Sequence, residues 1–324
     1  MESLKNFPTQ FEFEPKIENY NNLKHAEKII VIGMGGSHLA AGLLQSALPE
    51  LDLIIHKNYG LPKLSQEILA KSLIIASSYS GNTEEVIDAF KDALGKKLNL
   101  AVISVGGELL NLAKENNIPY VQMPDTGIQP RMALGLNLMA LAKLINRDDL
   151  INEFKDLKDY LNGLSVDEMN EKGKELAEKI KNKIPVIYSS AENSALSCNW
   201  KIKFNESAKI PAFYNVFSEL NHNEMAGFSR TQKTSSLSDG FCFIFLKDPS
   251  DHPRIIKRMA VCQKLFESYG FEVELIELKG ESFWQKAFSN LLLADWTVYN
   301  LADIYDVEFE RVPIVEEFKK LINE

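Results

Sequence analysis

The sequence predicts an α/β protein of two successive domains, each a parallel sheet flanked by helices. Short, nearly continuous apolar runs rich in β-branched residues recur along the chain, as expected of strands buried on both faces. Helical stretches of about a dozen residues separate most of them, which is the alternation of βαβ units. A chain of 324 residues is also long for one hydrophobic core and ample for two domains of about 150 residues each.

The first domain is placed at residues 1–150. Residues 28–33 (KIIVIG) are its first strand, ending in glycines and giving way to a small-residue helix at 39–48. Further strands are expected at 51–56 (LDLIIH), 72–77 (SLIIAS), 98–104 (LNLAVIS) and 119–122, with helices at 83–94, 108–115 and 130–145. Residues 146–182 carry Lys and Glu about a turn apart and read as a charged helical connection, with the boundary near its start. The second domain, 151–324, restarts the alternation. Its strands are expected at 184–189 (IPVIYS), 241–246 (FCFIFL) and 271–278 (FEVELIEL), and its helices at 194–209, 252–269 and 283–305, with an irregular stretch after the first helix. No residue-by-residue repeat relates the halves.

A hydrophobic share of 45% and a charged share of 25% are those of an ordinary globular enzyme. The formal net charge of −9 gives no electrostatic reason to expect nucleic acid or an anionic membrane as partner. An anionic substrate must therefore meet a local site. Cys198, Cys242 and Cys262 are odd in number with no close pair, so they are expected to be buried thiols in a reducing compartment. The polar N-terminal segment has no signal-like apolar core, and no apolar run approaches the roughly 20 residues of a membrane span. A cytoplasmic location is the expectation.

Two loops draw the functional reading. Gly33-Met34-Gly35-Gly36-Ser37-His38 joins the first strand to a helix, where glycines let backbone approach a ligand and free N–H groups point at it. A dinucleotide fingerprint would need a third glycine at His38, and Asp52 lies too near the start of its strand for a ribose-binding acid. A ligand loop and a plain strand-to-helix connection both remain open for this turn. The second loop is more informative. Ser77-Ser78-Tyr79-Ser80-Gly81-Asn82-Thr83-Glu84-Glu85 supplies four hydroxyls, a glycine and a helix start within seven positions. Hydroxyls and oriented N–H groups can hold a phosphate without Lys or Arg. Helix capping by Thr83 is the alternative, but it needs one hydroxyl rather than four.

These residues resemble the sugar isomerase (SIS) superfamily, whose phosphate loop reads S-x-S-G-x-T, met here by Ser78, Ser80, Gly81 and Thr83. Over almost its whole length the chain is similar to bifunctional phosphoglucose/phosphomannose isomerases. That likeness adds Gly35-Gly36-Ser37, Gln129-Pro130-Arg131-Met132-Ala133-Leu134-Gly135, Asn205-Glu206-Ser207-Ala208-Lys209, Glu219-Leu220-Asn221-His222-Asn223-Glu224 and the closing Val312-Pro313-Ile314-Val315-Glu316-Glu317-Phe318-Lys319. One departure is His38, where relatives commonly carry glycine.

The resemblance implies two sugar-isomerase-type domains and a metal-free, cofactor-free interconversion of fructose 6-phosphate with glucose 6-phosphate, and with mannose 6-phosphate. Such a reaction needs a base for the C–H proton, a cation for the developing oxyanion and groups to open the ring. It implies Glu206 as the base, Arg131 as the oxyanion cation, and His222 with Lys319 at ring opening, Lys320 being adjacent. It further implies substrate or phosphate contacts at Gly35, Gly36, Ser37, Ser78, Ser80 and Thr83, the choice among Ser77, Ser78 and Ser80 staying open. A homodimer is implied as well, with His222 reaching across the interface. Taken singly, Glu206 would be read as surface and His222 as loop polarity. Arg131 is unusual even alone, since a positive charge is disfavoured in a helix's first turn. The chain has no H-E-x-x-H or similar ligand cluster. Rival readings are a non-catalytic phosphosugar sensor, an isomerase of another phosphosugar class and a dehydrogenase. The broken dinucleotide fingerprint opposes the last.

Overall fold

A computed structural model describes residues 1–322; Asn323 and Glu324, the end of the predicted second domain, lie outside the described residues. The chain divides into two units, Glu2–Asn162 and Gly163–Glu324.

In the first unit, strands β1 (Ile17–Glu18), β2 (Lys28–Ile32), β3 (Leu53–His56), β4 (Ser72–Ser77), β5 (Leu100–Ser104) and β6 (Tyr120–Gln122) form one sheet ordered β1-β6-β5-β4-β2-β3. All pairs are parallel except β1 with β6. Ile30, Ile32, Ile74, Ala76 and Val102 project from one face onto Val86, Phe90 and Leu109 of the covering helices, which is why these strands read as unbroken apolar runs. The chain leaves β2 toward β3 on one side and returns to β4 on the other. Such a reversal opens a crevice at the carboxyl ends of the strands, the usual ligand position in an open α/β sheet. The glycine turn follows β2 and the serine loop follows β4.

The second unit holds β7 (Ile184–Ser190), β8 (Phe213–Phe217), β9 (Phe241–Lys247) and β10 (Val273–Glu277), all parallel, in the order β10-β9-β7-β8. Its core is aromatic: Tyr188, Phe217, Phe243, Phe245, Phe266 and Phe271 cluster there. The Phe243 and Phe266 ring centroids lie 4.3 Å apart.

Several elements differ from expectation. The division falls between Asn162 and Gly163, not at 150/151. The charged connection is two helices, and the first, Asp148–Asn162, buries Leu150, Ile151, Phe154, Leu157 and Leu161. Phe154 meets Phe11 at 6.0 Å, so this helix completes the first core. The second helix, Val166–Ile180, packs on Phe283–Ile304 so closely that a Cβ on Gly173 would lie 2.7 Å from Trp296. β8 occupies the stretch expected to be irregular; it is an edge strand with Phe213 and Tyr214 exposed. The helix Gln66–Lys71 and the two-residue β1 were also unforeseen. Cys242 and Cys262 are buried, Cys198 is half-buried, and all three are free thiols.

Candidate active site

Hydrogen bonds tie the first unit's two loops together. Gly35 sits at φ +51 and begins a 3-10 turn, Gly35–His38, that enters the helix Leu39–Ala47. The Ser37 hydroxyl accepts the Tyr79 N–H at 3.0 Å. The Ser37 carbonyl accepts from the Ser77 hydroxyl at 3.2 Å and from Asn137 Nδ2 at 3.4 Å. Asn137 Nδ2 also reaches Ser77 Oγ at 3.2 Å. Sequence alone gave Asn137 no part; it is a buried polar residue on a strongly apolar helix, which is the signal it offered.

Within the serine loop, Ser78 Oγ lies 2.8 Å from Thr83 Oγ1 and accepts the Gly81 N–H at 3.1 Å. Thr83 occupies the N-cap position but makes no side-chain cap bond, so capping does not account for its hydroxyl. Ser77 and Ser78 are fully buried, whereas Ser80 is exposed and accepts from Asn82 N–H at 3.3 Å. Ser77 and Ser78 therefore build the loop from inside, and Ser80 presents its hydroxyl outward. Gly81, at φ +71, leaves no room for a side chain: a Cβ there would stand 1.8 Å from the Gly106 carbonyl oxygen.

Arg131 belongs to the 3-10 turn Pro130–Met132 and is 1% exposed, which rules out a surface arginine. Gly36 packs directly on this turn, since a Cβ there would lie 2.4 Å from both Arg131 N and the Pro130 carbonyl carbon. From the other side buried Gln10 donates Nε2–H to Met132 O at 2.8 Å and accepts N–H from Gly135 at 3.0 Å and Leu136 at 3.3 Å. Gln10 thus serves two of the N–H groups that a helix start leaves unpaired and one carbonyl of the turn before it. More than a hundred residues separate it in sequence from the turn it holds, so no local pattern announced it. Glycine turn, serine loop and Arg131 form one assembly.

In the second unit the expected site residues stand on three separate elements. The helix 194–209 is an α-helix to Lys203 and then a π-turn, Phe204–Ala208, carrying half-buried Glu206. His222 ends the 3-10 turn Glu219–His222 and is exposed. Two residues on, Glu224 accepts from Tyr188 OH at 2.6 Å and from Asn215 Nδ2, pinning the His222 loop to β7 and β8. Burial and then the Glu224 carboxylate push the Tyr188 hydroxyl well above its ordinary pKa, so it stays a donor. Lys319 and Lys320 are both exposed on the helix Pro313–Ile322. Among the described residues no group of His, Cys, Asp and Glu is arranged to hold a metal ion, and no helix is long and apolar enough to cross a membrane.

Comparison with known proteins identifies the family. Residues 169–322 match the bacterial phospho-glucose isomerase C-terminal SIS domain. A bifunctional phosphoglucose/phosphomannose isomerase of Caldicellulosiruptor bescii is 32% identical over 100% of this chain and 98% of its own. Another, of Thermoplasma volcanium, is 33% identical over 91% of each. The chain belongs to the bifunctional phosphoglucose/phosphomannose isomerase family. A relative of different name, D-glucosamine-6-phosphate 4-epimerase of Sulfolobus acidocaldarius, is 32% identical over 71% of both chains. Among solved structures, a hypothetical protein from Thermus thermophilus has a TM-score of 0.71 at 17% identity, covering 99% of this chain and 87% of that one. With the SIS-domain match over residues 169–322, the parallel-sheet architecture is the SIS fold, as expected.

Proposed function

We propose that this chain interconverts fructose 6-phosphate with glucose 6-phosphate and mannose 6-phosphate. The observation that carries the reading is near-complete alignment with relatives bearing that name. The serine loop supports it, since its outward hydroxyl and helix start suit a phosphate monoester. In this reading Ser80, Thr83 and the loop N–H groups hold phosphate, with Ser78 shaping the loop. Gly35, Gly36 and Ser37 bring backbone against the sugar.

Glu206 moves the proton between C2 and C1. Arg131, a permanent cation, stabilises the enediolate oxygen. His222 and Lys319 exchange protons with the ring oxygen and the C1 hydroxyl during opening. Glucose and mannose 6-phosphates share one enediol and differ in the face of C2 that is reprotonated, so one base and one cation serve both when the bound enediol rotates about C2–C3 to turn its other face to Glu206. The proposal includes a homodimer that lends His222 to the neighbouring subunit, and a place in cytoplasmic carbohydrate metabolism at the hexose-phosphate branch of glycolysis and gluconeogenesis.

The test is Glu206→Gln with fructose 6-phosphate. Turnover is expected to fall about 10²–10⁴-fold while phosphosugar binding persists. Near-normal turnover would remove Glu206 from the mechanism. The epimerase relative favours a second reading, an amino-sugar phosphate as substrate, so glucosamine 6-phosphate belongs in the same assay.

A further inference from the structure

The helix that presents Glu206 is fastened by groups to which the reaction gives no part. Lys203, three residues before Glu206, is 2% exposed, and its Nζ lies 2.5 Å from Asp295 Oδ1, whose side chain is 8% exposed. One turn earlier, buried Trp200 donates its indole N–H to Asn290 Oδ1 at 2.7 Å. Both acceptors project from the helix Phe283–Ile304. The final turn of Ser194–Lys203 is therefore held at two polar points immediately before its geometry changes.

The change is at Phe204–Ala208, where the Lys209 N–H bonds to the Phe204 carbonyl five residues back. Lys209 is left-handed at φ +59. Its Nζ donates to the carbonyl oxygens of Glu206 at 2.5 Å and Ser207 at 3.5 Å. A π-turn is a rare, wider turn that recurs at functional sites, and here it falls on the residue read as the base. The Glu206 backbone is thus held downstream by Lys209 and upstream by the anchored turn.

Burying an ammonium and a carboxylate together is a poor way to stabilise a core, because a well-packed apolar pair of similar volume often does as well or better. A short charge-assisted bond adds direction: it fixes the rotation and height of one helix on another, where apolar contacts allow sliding. We infer that the Lys203–Asp295 pair is a positioning device for Glu206, setting where the π-turn delivers its carboxylate. Lys203 and Asp295 act through Glu206 and do not touch substrate. The inference rests on Glu206 being the base. A displacement of about 1 Å at a reacting group can cost on the order of 10²-fold in rate.

The experiment uses the full chain with fructose 6-phosphate and compares Lys203→Met/Asp295→Leu, Asp295→Asn and Glu206→Gln. The double variant replaces the ions by apolar groups and is expected to melt no lower than wild type. Its kcat should fall at least tenfold while KM stays within about twofold, because the phosphate loop is built from other elements. Asp295→Asn keeps shape and an acceptor oxygen but leaves the buried Lys203 ammonium without its counter-charge, so it should melt lower than wild type; assayed well below its melting temperature, its kcat should also fall at unchanged KM. A folded double variant with wild-type kcat would overturn the inference. So would a loss of kcat that merely tracks a lowered melting temperature in both variants. If Glu206→Gln keeps full turnover, the base assignment fails and takes this inference with it. If Glu206→Gln is inactive while the double variant is fully active, only the positioning role is lost.

Discussion

Gly36→Ala is the perturbation whose consequence follows most directly from the first unit's geometry. The added Cβ would stand 2.4 Å from Arg131 N and from the Pro130 carbonyl carbon, and 2.7 Å from the Pro130 carbonyl oxygen. Ordinary contact needs roughly 1 Å more, and all three atoms are backbone, so no side chain can swing aside. Overpacking of this kind costs about 1–3 kcal/mol. In a protein of this size each 1 kcal/mol lowers the melting temperature by about 2–4 °C. The turn that yields is the one carrying buried Arg131, because Gln10 holds the following backbone from behind. A shift of about 1 Å in the guanidinium should lower kcat on the order of 10²-fold. Gly95→Ala is the control, having no atom within 4 Å of the new Cβ and no positive φ; its stability and turnover should match wild type or slightly exceed it. Calorimetry together with a coupled isomerase assay reads both quantities. Gly36→Ala with wild-type melting and kcat would refute the idea that the glycine turn must close on the Arg131 backbone.

Other outcomes follow from the same loops. Burial and then the nearby Lys57 charge lower the His38 pKa to about 4, so the folded chain resists a proton that the unfolded chain takes up near 6.5. Stability should therefore be lost as pH falls from about 6.5 to about 4, by roughly 3 kcal/mol at most. His38→Gln should flatten that stretch, and an ordinary His38 titration by NMR would contradict it. Ser80→Ala should raise KM for phosphosugars several-fold with little change in melting. Ser78→Ala should lower stability by about 1 kcal/mol through its internal bonds; the reverse ranking in titration calorimetry and melting would undo the inside–outside division of the loop. Gln10→Leu leaves Met132 O and the N–H groups of Gly135 and Leu136 without their partner, so chemical denaturation should show a loss of about 2–4 kcal/mol. A neutral result would mean that other groups satisfy that helix start.

What the sequence made legible were elements whose physics is local. β2, β4 and β5 announce themselves as β-branched runs because helices bury both faces. The serine loop could be read because four hydroxyls at a helix start exceed what a cap requires. Elements whose role depends on distant partners were not legible. Phe213–Phe217 alternates poorly and exposes two aromatics, since an edge strand is fixed by its neighbour β7. Asp148–Asn162 looked like a solvated connector until its apolar stripe met Phe11. Lys203 and Arg131 carry charges that composition assigns to the surface, yet both are buried. The π-turn at Glu206 has no sequence pattern of its own; it packs against the distant helix Phe283–Ile304 and ends at the left-handed Lys209.

The most direct test of the central claim is to incubate the full chain with fructose 6-phosphate and quantify glucose 6-phosphate and mannose 6-phosphate separately. The account predicts both products, each abolished together by Glu206→Gln, since one enediol feeds both. Folded protein that forms neither product would contradict it, and turnover of glucosamine 6-phosphate in its place would move the site to amino-sugar phosphates.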